Sequence, residues 1–356
     1  MLRLSIENLQ AGLTVARNIY NANGNLLLAA DVVLDEHLIA RLQELDIASI
    51  YVKNPYADYE PQELLDEETR IKTVKIARKT FEAFKKTKTV NVAEVGQAVK
   101  MIIDDVLCNK NSLIHLTEIR THDGYTFGHS INTCLISIVI GLKMGLSMPK
   151  INELAIGVVL HDIGKMMVPI ELLNKTTPLL AEEWQEIQKH AGNGFDILRK
   201  TISLPAAHVA FQHHENYDSS GYPRKIGKED IHQYARIAAV ADLYDAITSD
   251  RPYRPAMLPH EAYEVMVGSR GTKLDPAITD IFLETVALYP VGSMVLLDNG
   301  DIGVVIEVYP KLQTRPLVQI IMDKNRQKIS GLRLDLSREL TRFIVKVLEP
   351  KEIIKL

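Results

Sequence analysis

The chain is poor in the groups that mark several protein classes. It has only two cysteines in 356 residues, Cys108 and Cys134, with no CxxC spacing. That argues against a disulfide framework or a cysteine-rich zinc site, and a reducing, cytoplasmic setting is the expectation. Aromatic residues are only 6% of the chain, and the single tryptophan, Trp184, carries no functional signal by itself. Positive charge is not in excess: the net charge is −4, which speaks against a dedicated DNA or RNA surface, though not against a local basic pocket for a small anion. Long apolar runs are missing too. The longest, around Cys134 to Leu142, is far short of the roughly 20 residues a membrane span needs and reads as a buried core helix. The start, Met1-Leu2-Arg3-Leu4-Ser5-Ile6-Glu7, lacks the basic-then-apolar pattern of a signal peptide. No repeat or low-complexity tract occurs.

What is present is ample apolar material, 46% of residues, for two or three packed domains. Residues 1–55 read as a small α+β module. Leu13 to Tyr20 and Asn25 to Leu28 flank the hairpin turn Asn23-Gly24, and Leu34, Leu38, Leu42 and Leu45 recur at helical spacing. Ile50-Tyr51-Val52 reads as a returning strand. The module's role is open between sensing, docking and plain structural support. A polar, proline-bearing linker and a helical pair fill 56–111. The first helix, Glu67 to Lys88, carries Arg70, Lys72, Lys75, Arg78, Lys79, Lys85 and Lys86, read as a solvated face. The second has the apolar stripe Val92, Val95, Val99, Ile102, Ile103 and Val106.

Residues 112–289 are almost wholly helical. Thr121 to Leu142, Asn152 to His161, Ala181 to His190, Ala206 to His214, Arg236 to Ser249 and Pro276 to Leu288 are the main candidates, with Asp275-Pro276 a good helix start. From Pro290 the pattern changes. Ser293 to Leu297, Ile302 to Tyr309, Leu317 to Met322 and Phe343 to Leu348 are β-rich, with Asn299-Gly300 as a hairpin turn, so 290–356 reads as a small β-barrel-like module. The expected fold class is mainly α, one helical domain flanked by α+β and β modules.

The chemistry concentrates in the helical part. Val158-Val159-Leu160-His161-Asp162-Ile163-Gly164-Lys165 is an apolar helical run ending in an adjacent imidazole and carboxylate, with an amine three residues on. On a helix, His161 and Asp162 would point roughly 100° apart and reach one metal cluster from different directions. His129, His190, His213, His214 and Asp242 complete a set of seven ligand-type groups suited to Fe, Mn or Zn. Seven exceed what one tetrahedral site needs, so a two-metal centre sharing a carboxylate accounts for them better. Singly each has an ordinary reading: a lone histidine on an apolar helix is more often a satisfied core histidine. Asp242 is harder to dismiss, because a carboxylate among Ala238-Ala239-Val240-Ala241 needs a partner to offset a desolvation cost of several kcal/mol.

These residues bring a resemblance with them. Tyr125-Thr126-Phe127-Gly128-His129-Ser130, then His161-Asp162-Ile163-Gly164-Lys165, His190 after Glu183-Trp184, His213-His214-Glu215 leading to Gly221-Tyr222-Pro223, and Asp242-Leu243-Tyr244-Asp245 through Arg251-Pro252-Tyr253-Arg254 stand in order. Over roughly 112–288 the sequence resembles the HD-GYP phosphodiesterases, a bacterial branch of the HD-domain metal hydrolases. The resemblance implies that His129, His161, Asp162 and Asp242 hold one ion. It assigns His190, His213 and His214 to the other, with Asp162 bridging. Fe or Mn come first among the expected metals, with Zn, Mg, Ni and Co open. Some members add a glutamate one turn before the first histidine and a third metal; here that position is Tyr125, so two ions are expected, with His122 the one substitute. Ala191 replaces a usual proline after His190, and Asp218-Ser219-Ser220 departs before Gly221, without loss of a ligand.

The implied substrate is cyclic di-GMP, opened to linear pGpG and in some members on to GMP. Two ions about 3.5–4 Å apart lower the pKa of a bridging water and neutralise phosphate charge. Asp162 and Lys165 are the expected catalytic residues, Lys165 stabilising the pentacoordinate charge. Gly221, Tyr222, Pro223, Asp245, Arg251 and Arg254 are the expected substrate contacts. The glycine would permit unusual backbone angles, Tyr222 would stack on a base, Asp245 would read a guanine edge or pair with an arginine, and the arginines would grip phosphate. The Gly221–Pro223 loop or the terminal modules would serve a signalling partner, and self-association through the helices of 67–108 is open. The alternatives are a catalytically weak cyclic-dinucleotide receptor or scaffold, and a hydrolase of another cyclic dinucleotide or nucleotide.

Overall fold

A computed structural model describes the chain except residues 22–24, 46, 48, 57–58, 60–62, 110–124, 176, 250–255, 330 and 354–356, and the side chains of 125, 126 and 350. Two compact units emerge. One takes Met1–Glu63 together with Thr117–Tyr125 and Val286–Leu356, and the other takes Leu64–Leu116 with Thr126–Thr285.

In the first unit, β1 (Leu2–Ser5) pairs antiparallel with β4 (Ser49–Val52), and β2 (Ile19–Tyr20) with β3 (Leu26–Leu28). Alternate residues of β1 and β4 are buried, the period of two that a half-buried strand requires. The expected helix is α1 (Glu36–Glu44), capped by the Asp35 carboxylate accepting from Leu38 N at 2.7 Å. The turn expected at Asn23-Gly24 lies outside the described residues. Strands β5 (Met294–Leu297), β6 (Ile302–Glu307), β7 (Leu317–Met322), β8 (Arg333–Asp335) and β9 (Ile344–Val347) form an antiparallel sheet in the order β8-β7-β6-β5-β9. Gly300, at φ +90°, makes the β5–β6 turn as expected. Short, charged β8 is an addition to the sequence reading. The two ends of the chain share one core: Leu4, Val15, Leu34, Ile50 and Val52 pack with Met294, Ile302, Val304 and Met322.

The second unit is helical: α2 (Glu67–Thr87), α3 (Val92–Cys108), α4 (Tyr125–Lys143), α5 (Met148–Val159), α6 (Ile170–Leu173), α7 (Ala181–Leu198), α8 (Leu204–Gln212), α9 (Gln233–Thr248), α10 (Pro259–Ser269) and α11 (Pro276–Leu283). Helix α3 buries Val95, Val99, Ile102, Ile103 and Val106, the expected stripe apart from half-buried Val92. Asp275 caps α11, accepting from Ala277 N and Ile278 N. Helix α10, opened by Pro259, was not among the expected helices. One expectation fails on α2: Lys72, Lys75, Lys79, Lys85 and Lys86 are exposed, but Arg70 is buried. None of the helices among the described residues is long and apolar enough to cross a membrane.

Candidate metal centre

His129 lies in the second turn of α4, His190 midway along α7, and Asp242 and Asp245 one turn apart on α9. The other ligand-type groups sit where helices stop. Helix α5 ends at Val159, so His161 and Asp162 occupy the turn before the 3-10 segment Ile163–Met167. The helix stops short of the His161 that its apolar pattern predicts as its end; the shift from α to i→i+3 bonding, with His161 N donating to Val158 O at 3.2 Å, re-aims both side chains. His213 caps α8 and His214 follows it. Gly164 lets the Asp162 turn approach α7, since a Cβ there would lie 2.7 Å from Gly194 N and closer still to His190 O.

The resulting cluster is organised about Asp162. Its Oδ2 lies 3.4 Å from His161 Nε2 and 3.9 Å from His129 Nε2, while its Oδ1 lies 3.7 Å from His190 Nε2 and 3.8 Å from His213 Nε2. Asp242 Oδ1 is 2.9 Å from His129 Nε2. Ligands held at about 2.1 Å by one ion lie roughly 3–3.5 Å apart, close to these separations. Two groups of donors could each hold an ion, His129 with His161 and Asp162, and His190 with His213 and His214.

Hydrogen bonding settles which ring nitrogen is free. His161 Nδ1 lies 2.7 Å from Val158 O, His190 Nδ1 2.7 Å from Ile187 O, and His213 Nδ1 3.0 Å from Val209 O. A carbonyl only accepts, so Nδ1 carries the hydrogen in each ring and Nε2 presents its lone pair. The Nε2 atoms of His190 and His213 face each other across 3.5 Å, two lone pairs that call for a cation between them. His161 Nε2 and Asp162 Oδ1 are buried without a hydrogen-bond partner, a cost of about 1–3 kcal/mol each unless a cation satisfies them. The donor set thus fits divalent metal.

Electrostatics agree. Burial pushes the pKa values of His190 and His213 down, and that of His214 down to about 3, so all three imidazoles are neutral at pH 7. Burial opposes the charge on Asp162, but the neighbouring Lys165 ammonium outweighs it and holds its carboxyl well below the usual range. Burial likewise opposes charge on His129, yet hydrogen bonds to Asp242 and Asp245 push its pKa up to about 10. Lys165 Nζ donates to Asp162 Oδ2 at 2.6 Å and keeps 28% of its side chain exposed at the rim.

The expected substrate contacts fare unevenly. Asp245 does not line the site: it is buried, with Oδ2 on His129 Nδ1 at 2.6 Å and Oδ1 accepting from Asn132 Nδ2 at 2.9 Å. Its carboxylate orients a candidate ligand, so no oxygen is left to read a base. Gly221 is needed for space and not for an unusual φ, because a Cβ would lie 2.6 Å from Glu215 Cα and closer to Asn216 N and His214 O. Tyr222 is half-buried and stacks on His214 at a centroid distance of 4.8 Å; Pro223 is exposed. Arg251 and Arg254 lie outside the described residues, as does His122, and the Tyr125 side chain is not described.

Residues without a role predicted from sequence also support the centre. Glu215 is buried and accepts from Arg224 N at 2.7 Å and Ile226 N at 3.2 Å, pinning the loop after His214. Its place directly after the His213-His214 pair was the available signal. Trp184, 45% exposed, sets its ring edge-to-face with Tyr222 at 6.2 Å. Asn132 lay hidden as one polar residue in an apolar helix.

Residues 101–278, half of the chain, match the family described as HD domain, and 294–356 match a KOW domain associated with the HD domain. The cyclic di-GMP phosphodiesterase PA4108 of Pseudomonas aeruginosa is 35% identical over 70% of this chain and 61% of its own length. The 3'3'-cGAMP-specific phosphodiesterase 3 of Vibrio cholerae is 35% identical over 43% of this chain and 33% of its own length. The matched region therefore spans less than two-thirds of either relative. Among solved structures, Bd1817, an HDG"Y"P protein from Bdellovibrio bacteriovorus, superposes with a TM-score of 0.52 at 17% identity, over 80% of this chain and 98% of that one. That likeness concerns the fold. In keeping with the motifs in its sequence, the chain belongs to the HD domain family.

Proposed function

We propose that this protein is a two-metal phosphodiesterase that hydrolyses cyclic di-GMP to linear pGpG, with GMP as a further product. One observation carries the reading: the two oxygens of Asp162 face different histidine pairs at 3.4–3.9 Å, as a carboxylate shared by two cations must. His129, His161, Asp162 and Asp242 would hold one ion and His190, His213, His214 and Asp162 the other. Divalent cations, Fe or Mn first, supply an ionised water near neutral pH and neutralise phosphodiester charge when bound. The relatives' names support a cyclic dinucleotide as substrate.

The side chains have separable tasks. Carbonyl-anchored imidazoles keep their tautomer, so no reorganisation is needed as charge develops. Lys165, tied to Asp162 at 2.6 Å and reaching solvent, would donate to a phosphoryl oxygen and hand a proton to the departing alkoxide. Tyr222 roofs His214 and walls one side of the substrate space. Arg251 and Arg254, just beyond α9, would bind the second phosphate. Exposed Pro223 and Arg224 leave the same loop open to a protein partner. The two cysteines are free, which accords with the cytoplasmic setting proposed here.

The test is turnover of cyclic di-GMP by protein reconstituted anaerobically with Mn or Fe(II). Release of pGpG is expected; tight binding without hydrolysis in the two-metal protein would replace the enzyme reading with the receptor one. The names of the Vibrio relatives favour 3'3'-cGAMP as a second substrate, and competition between the two dinucleotides ranks them.

A further inference from the structure

Helix α2 precedes residues 101–278, the part of the chain that matches the HD domain. It nevertheless sends one cation inward. Arg70 is 4% exposed, and its Nη1 donates to Asn132 Oδ1 at 2.9 Å. Asn132 Nδ2 donates to Asp245 Oδ1 at 2.9 Å, and Asp245 Oδ2 accepts from His129 Nδ1 at 2.6 Å. Thr133 Oγ1 is farther from the same nitrogen, at 3.5 Å.

The chain of bonds has one direction. A guanidinium has donors and no acceptor, so Asn132 must turn its oxygen to Arg70 and its NH2 to Asp245. Asp245 then spends one oxygen on Asn132 and keeps the other for the Nδ1 hydrogen of His129. That leaves His129 Nε2 aimed at Asp242 Oδ1 and Asp162 Oδ2, at 2.9 and 3.9 Å. Burying a guanidinium is costly unless its donors are met and its charge is offset; here a buried carboxylate stands one side chain away.

From this geometry we propose that Arg70 is a positioning residue for the ion held by His129, acting through Asn132 and Asp245, so that α2 is part of the metal centre. The inference rests on the reading of His129 as a ligand. It separates the two ions: the relay touches His129 and none of His190, His213 or His214. A displacement of α2 would reach the first ion alone.

The experiment is titration of chelator-stripped protein with Mn²⁺, followed by electron paramagnetic resonance of free and bound metal. Wild type is expected to bind two ions. Arg70→Met should weaken one of the two sites by about 10-fold, the low end of what losing the direct outer partner of a metal-binding histidine costs, because Arg70 acts on Asp245 only through Asn132, and leave the other unchanged. Arg78→Met on the same helix, whose partner is Glu82, should change neither. Asn132→Leu should reproduce the loss, and adding Arg70→Met to it should have no further effect. Should Arg70→Met fail to fold, Arg70→Lys and Asn132→Asp decide in its place, each weakening the same single site. Two ions bound by Arg70→Met as tightly as by wild type, or both sites weakened alike, would overturn the proposal. A wild type that takes up no Mn²⁺ would overturn the metal-centre reading instead.

Discussion

Lys165 Nζ lies 2.6 Å from Asp162 Oδ2, and of the two only the lysine reaches solvent. That exposure fits the role proposed for Lys165 on the substrate side, while the buried carboxylate faces the histidine cluster. Lys165→Ala should retain both ions and slow turnover about 10²–10³-fold, the usual loss when one donor to developing charge is removed. Elemental analysis beside kcat checks this. Loss of both ions from the variant would remove the assigned role.

Asp162→Ala should behave in the opposite way. Removing the shared carboxylate strips a donor from both histidine groups and leaves Lys165 without its partner. Metal content after dialysis should fall from two ions to fewer than one, with turnover lost alongside. Full metal retention by Asp162→Ala would mean that the histidines suffice and nothing is shared.

The pH dependence of metal uptake should differ between the two groups. His129, pushed up to about 10, is protonated at pH 7 in metal-free protein, and an ion must displace that proton. Protonation competes, so the sign is fixed: affinity at its site rises about tenfold per pH unit up to that pKa. His190, His213 and His214 are instead lowered by burial, so their site should show the shallower slope between pH 6.5 and 8.5. Mn²⁺ titrations across that window read both slopes, and identical slopes would contradict the assignment.

Gly221→Ala is a steric test of the loop beside His214. Its Cβ would meet Asn216 N, His214 O and Glu215 Cα, all backbone. Overpacking of this kind costs about 1–3 kcal/mol, a fall in Tm of roughly 2–10 °C. Thermal denaturation should show that loss together with weaker metal binding by His213 and His214. An unchanged Tm would show that the loop moves aside freely.

Legibility followed how local each signal was. Apolar stripes such as that of α3, the Asp275 cap of α11 and the turn at Asn299-Gly300 depend on neighbours within a few residues, and they stood where expected. The end of α5 did not, because His161 and Asp162 give no local stop signal. Gly164, packed against His190 O and Gly194 N, shows what lets the turn sit there, and that contact belongs to the tertiary fold. Arg70 was unreadable for a similar reason. Seven basic residues along α2 look alike in sequence, and only the position of Asn132 turns one of them inward.

The sequence alone determined the chemistry on offer: imidazoles and carboxylates at helix-compatible spacings, an amine beside them, and apolar runs enough to bury them. Residue type and short-range periodicity carry that much, since ligand atoms and helix faces are properties of the residues themselves. The tertiary structure decided how the groups are used. Asp162 divides its oxygens between two histidine pairs, and Asp245 serves His129 in place of a base. The orientation of a side chain around a shared centre is set by what other helices bring to it, and helices far apart in the chain leave no mark on one another's local pattern.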